Sequence, residues 1–149
     1  MTPPDLDPAT ITRRLRLVRE ALDDLAALAD VDAERLRAEP LTRAAAERLI
    51  QVVVDLAIDV NAHVATAELG RAPVTARGSF VDAAAAGAID AELADRLTPT
   101  AGLRNVLVHR YVDIDVDVVA ASVTPILRDY GAWVHQVSSW LGGQADSTR

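Results

Sequence analysis

Apolar residues recur every three or four positions along most of this chain, and the runs are separated by Asp, Pro and Gly. The first stripe steps through Ile11, Leu15, Val18, Leu22, Leu25 and Ala29, one face of a helix. Asp7 and Pro8 supply its N-cap and first helical position. Arg13, Arg14, Arg16 and Arg19 lie off that stripe, as a solvated face or one that serves RNA. Asp32 opens a short helix that Pro40 stops, and a long helix is predicted from Leu41 to Leu69, closed by Gly70. Its stripe is Leu49, Val52, Val53, Leu56, Val60, His63 and Ala67, and a second apolar face carries Ile50, Val54 and Ile58. Two apolar faces place this helix at the centre of a bundle, or between the core and a second subunit. Its Val and Ile content suits a strand, but the pattern outruns strand length and contains no turn signal.

The second half reads the same way. Residues 70–78 form a loop, and Ser79 with Asp82 is a capping signature for a short helix ending at Gly87. Asp90 caps another helix, which Pro99 is expected to stop, and Thr100 caps the one carrying Leu103 to His109. Asp113, Asp115 and Asp117 make an acidic connector. Asp117 opens a last helix to about Leu141, striped by Val119, Val123, Ile126, Tyr130, Val134, Val137, Trp140 and Leu141, with Pro125 expected to kink it. The whole predicts a single all-α bundle over residues 1–149, with residues 1–6 and 142–149 as frayed ends.

Composition narrows the function classes. There is no cysteine, which excludes a disulfide framework, a thiolate metal site and a cysteine nucleophile. Aromatics are only 3%, so the core must be aliphatic. The net charge is −7, and every one of the 15 basic residues is arginine. That balance argues against broad adsorption to nucleic acid, so any RNA contact is local or assembled from two subunits. Uninterrupted apolar stretches inside the long helix reach only three residues, as in Val52 to Val54, which is broken at once by Asp55, and no membrane partner is expected. The N-terminus, MTPPDLDP, is unlike a secretory signal, and a cytoplasmic location is expected.

The candidate chemistry lies in Leu103-Arg104-Asn105-Val106-Leu107-Val108-His109-Arg110-Tyr111, an R-x4-H-x-Y pattern. Arginine is permanently charged and matches phosphate geometry, and histidine exchanges protons near neutral pH. On a helix Asn105 and His109 share a face, while Leu103, Val106 and Leu107 are expected to supply the buried side. His63 sits on a core stripe and is either a satisfied core histidine or, with Asp59 and Asn61, part of an interface or secondary site. His135 is expected at the surface or in packing. Two look-alikes fail. The spaced aspartates from Asp113 lack the glycine and glutamate of a calcium loop, where Val118 and Thr124 stand. Gly78-Ser79 followed by Asp90 and Glu92 imitates a nucleotidyltransferase signature, but it falls in a helical stretch with no sheet to hold two metals.

Residues from about Ala46 to Leu141 resemble the HepT-like ribonuclease toxins, a branch of the HEPN domain superfamily. The resemblance rests on the order of four blocks: Asp59-Val60-Asn61-Ala62-His63, Ser79-Phe80, the AELADRL helix, and Ala101 to Tyr111. It implies an all-α, antiparallel HEPN-type bundle of four to six helices that forms a two-fold homodimer, in which two R-x4-H motifs make one composite RNA-cutting site, with no metal and no cofactor. Arg104 would stabilise the charge of the pentacoordinate phosphate, and His109 would act as general base or acid. Asn105 would orient the phosphate or His109. Tyr111 would receive AMP from an MntA-type minimal nucleotidyltransferase antitoxin, silencing the toxin of a type II/VII-like toxin–antitoxin pair. Arg110 departs from the residue usual between His and Tyr by adding a positive charge. The alternative is a catalytically inactive HEPN module that serves as the binding subunit of a nucleotidyltransferase complex.

Overall fold

The computed structural model describes residues 5–109 and 114–149. Six helices run in order: α1 (Pro8–Ala26), α2 (Ala33–Ala38), α3 (Pro40–Leu69), α4 (Ala76–Ala85), α5 (Ala91–Val108) and α6 (Val116–Ser147). Every helix start is set by local chemistry. Asp7, Asp32, Thr75, Asp90 and Asp115 each accept a backbone N–H of the first turn, and Pro40 occupies the first turn of α3. Gly70 and Gly87 take left-handed φ values of 70° and 86°, which close α3 and the turn after α4.

α3 is the central helix, packed by α1, α2, α4, α5 and α6. Its buried stripe is Ala46, Ile50, Val53, Val54, Ala57, Val60, Asn61, Val64 and Ala65. The core side thus combines Val53 and Val60 of the first face with Ile50 and Val54 of the second, while Leu49, Val52, Leu56 and His63 of the first and Ile58 of the second are only half-buried on its flanks. By length and composition alone α3 is apolar enough to cross a membrane, but its apolar side chains fill the centre of this bundle. The core is aliphatic except for Phe80, Tyr130 and Trp133, which stack edge to face between α4 and α6.

Several boundaries differ from the sequence expectation. α1 ends at Ala26, and Ala29 lies exposed in the following turn. Pro99 does not stop a helix: α5 runs straight through it, with the ring on the exposed side. Nearby hydroxyls bond the helix's own carbonyls, Thr98 to Ala94 O (2.7 Å) and Thr100 to Leu97 O (2.6 Å), so Thr100 reinforces α5 instead of capping a new helix. Thr75, not Ser79, caps α4, and Asp115, not Asp117, caps α6. Ser79 is buried inside α4. Asp82 accepts both terminal nitrogens of Arg71 at 2.9 Å, clasping the α3–α4 loop. α6 passes through Gly142 and Gly143 to Ser147, beyond the expected stop near Leu141.

Candidate active site

α5 delivers the motif by its register. Leu93, Leu97, Ala101, Arg104 and Leu107 step by four and three along the side that faces the core, so Arg104 occupies a core-facing position near the helix end. A guanidinium there needs a partner, and α3 supplies one: Arg104 Nε donates to Asp55 Oδ1 at 2.5 Å, with the two side chains 31% and 35% exposed. Arg104 Nη1 donates to Asn105 Oδ1 at 3.0 Å. An arginine carries five N–H donors, so among the described residues one hydrogen on Nη1 and both on Nη2 remain for a further acceptor. Leu107 is buried, but Leu103 is half-buried and Val106 is 54% exposed; the expected buried side is therefore rotated toward Arg104.

His109 is the C-cap of α5, its N–H bonded to Asn105 O at 3.0 Å and its backbone turned out of the helix at ψ 63°. It is exposed, as is Asn105. The α5 end therefore presents an anchored arginine with free donors, an amide that holds it, and a solvent-facing imidazole. That set can bind a phosphate and exchange a proton beside it. Arg110 and Tyr111 lie outside the described residues, as does Asp113.

The Asp59, Asn61 and His63 block divides. Asp59 is exposed and His63 half-buried one turn on; with Arg14, Ala62 and Thr66 they line a cleft of about 370 Å³ between α1 and α3. His63 Nε2 accepts the backbone N–H of Asp7 at 2.9 Å, tying the start of α1 to α3. Asn61 turns into the core, accepting Trp133 Nε1–H at 3.1 Å and donating to Ser79 Oγ at 3.4 Å. That bond network explains a polar residue at 1% exposure. His135 is exposed on α6, at a groove with Arg19 and Asp23. The α1 arginines spread around the exposed side of the helix: Arg14 faces α3, Arg19 faces α6, and Arg13 and Arg16 point outward. Among the described residues, no three His, Asp or Glu side chains converge as a metal site would require.

A family model described as Ribonuclease HepT-like matches residues 18–137. The chain belongs to the HepT-like ribonuclease family. It is 30% identical over 137 residues to a tRNA nuclease HepT of Aphanizomenon flos-aquae, covering 92% of this chain and 93% of that protein. It is 28% identical over 90 residues to an mRNA nuclease HepT of Shewanella oneidensis, covering 60% and 68%. The fold matches the tri-AMPylated Shewanella oneidensis HEPN toxin solved in complex with its MNT antitoxin, with a TM-score of 0.77 and 21% identity over 87% of this chain and 97% of that one. It also matches a cytosolic protein of unknown function from Bacillus subtilis, TM-score 0.79, 16% identity, over 97% and 95%.

Within this HepT-like bundle, Asp55 is the residue that sequence reasoning missed. Its only sequence signal is spacing: it stands one helical turn before Asp59, on the exposed strip of α3 that also carries Arg48 and Ala62. Glu47 was missed as well. It is buried at 3% exposure and accepts Arg43 Nε at 2.9 Å, while Arg43 Nη2 reaches Ile114 O ahead of α6.

Proposed function

We propose that this protein is a metal-independent endoribonuclease toxin. The observation that carries this reading is the α5 end, where a half-exposed, anchored Arg104 with free donors stands with Asn105 and an exposed His109. The relatives named as tRNA and mRNA nucleases support the same reaction class. In the proposed reaction the ribose 2′-oxygen attacks phosphorus, a histidine takes its proton, and the bond to the 5′-oxygen breaks with a proton delivered to that oxygen. Arg104 holds the non-bridging oxygens as negative charge builds on them. One His109 cannot serve both as base and as acid on opposite sides of the phosphorus, which suits a site composed by two chains.

A homodimer is the assembly this reading requires. Next to Arg104, α1 and α3 enclose a cleft of about 450 Å³ lined by Leu17, Leu49, Val52 and Leu56 together with Asp55. Leu17 is 41% exposed there, an apolar surface that a second copy would cover. The regulatory partner is an MntA-type nucleotidyltransferase antitoxin that adds AMP to Tyr111, placing a phosphate two residues from His109. The solved complex of a HEPN toxin with an MNT antitoxin supports that pairing. The net charge of −7 favours a second reading, a silent binding subunit of such a complex.

RNA cleavage by purified protein in EDTA, beside His109→Ala, separates the two. The proposal expects cleavage that survives EDTA and disappears in the variant. An unmodified wild type, its mass checked for AMP on Tyr111, that leaves RNA intact would establish the binding subunit instead.

A further inference from the structure

We propose that Asp55 is a positioning residue for Arg104, fixing which edge of the guanidinium meets the phosphate; the inference rests on the ribonuclease reading above. Asp55 takes Nε–H, the donor nearest the arginine stem, and Asn105 takes one hydrogen of Nη1. With those two points fixed the planar group cannot rotate, and its Nη2 edge is left as the open face. The anchor itself is rigid. Asp55 lies mid-way along the 30-residue α3, beside Val53, Val54 and Ala57, which are fully buried.

The electrostatics separate orientation from attraction. A carboxylate on Arg104 partly cancels the charge that attracts RNA, so Asp55 opposes simple affinity. Its contribution is to hold a geometry that matters only as the transition state forms, where a displacement of about 1 Å costs on the order of 100-fold. Removing the carboxylate should therefore lower kcat while leaving KM unchanged or lower, a split that general destabilisation does not produce.

The test uses Asp55→Asn, Asp55→Glu, Arg104→Lys and Arg104→Ala in the full chain, with two readouts. The first is the NMR signal of the Arg104 Nε–H, assigned by its loss in Arg104→Lys. The second is kcat and KM on RNA. For Asp55→Asn, the Nε–H signal should move to the position of a solvated arginine, and kcat should fall about 10- to 100-fold with no rise in KM. Asp55→Glu should recover part of the rate, and Asp55→Asn should add nothing in an Arg104→Ala background. An Asp55→Asn protein with an unmoved Nε–H signal, or with kcat within about twofold of wild type, overturns the inference. If wild type fails to cut RNA, the ribonuclease reading falls. The Nε–H signal then decides the anchor alone: a shift in Asp55→Asn supports it and an unmoved signal overturns it.

Discussion

Arg96 and Arg104 are two turns apart on α5 and use the same donors, yet they are built for different ends. Arg96 places Nε on Asp129 Oδ1 at 3.2 Å and Nη1 near Glu92 Oε1 at 3.4 Å. Arg104 places Nε on Asp55 and Nη1 on the neutral amide of Asn105. Arg96 is thus held between two carboxylates, and Asp129 is shared with Arg128, so this network offsets its own charge and ties α5 to α6. Among the described residues Arg104 meets one carboxylate, and the exposed His109 ends the same helix five residues on. An ion pair between helices is therefore uninformative about function; what differs is the number of carboxylates on the guanidinium, and hence the positive charge left to meet a phosphate.

The largest expected contrast is in rate. Arg104→Ala should lower kcat on RNA by about 100- to 1000-fold, the usual range for loss of one charge-stabilising donor. Arg96→Ala should leave kcat within about twofold, because it removes a clasp; a comparable loss in both would erase the distinction. Next in size is Asn61→Ala, which orphans Trp133 Nε1 in the core. It should cost about 2–3 kcal/mol in denaturant unfolding while folded protein keeps its rate. Asp129→Asn should lower stability by about 2 kcal/mol, several degrees in Tm. Asp55→Asn, at a half-exposed pair, should cost under about 1 kcal/mol. The smallest effect is in pH. Burial pushes the Asp129 carboxyl up, but the hydrogen bonds and charges of Arg128 and Arg96 outweigh this and hold it below its ordinary value of 3.8. Its contribution is thus present above that value and is lost as pH falls through the depressed pKa. Unfolding curves of wild type and Asp129→Asn should differ at neutral pH and converge in strong acid.

Much of the bundle was legible from periodicity and caps. Asp7, Asp32 and Asp90 cap where the sequence placed them, and Gly70 ends α3. The errors share a cause, which is that tertiary packing overrode local punctuation. Pro99 breaks a helix in isolation, but Leu93, Leu97 and Ala101 on either side of it are all buried on one face, and that burial carries α5 through. On α3 both faces are apolar, so the stripes alone did not say which positions meet the core, and the core takes residues of both. The proposed site was visible as a candidate in Arg104, Asn105 and His109 because those residue types suit phosphate binding and proton exchange. The bond from Arg104 to the Asn105 amide was not foreseen, and Asp55 was invisible because it lies 49 residues away on another helix. Asn61 appeared beside Asp59 and His63 in sequence, yet a 100° step per residue sent it into the core.

The most direct test of the central claim is the chemistry of the cut ends. RNA cleaved by wild-type protein in EDTA should carry a 2′,3′-cyclic phosphate and a 5′-hydroxyl, and a single 2′-deoxy substitution at the cleaved position should block the cut. Products ending in 3′-hydroxyl and 5′-phosphate, or cleavage that proceeds through the 2′-deoxy position, would contradict the roles given to Arg104 and His109.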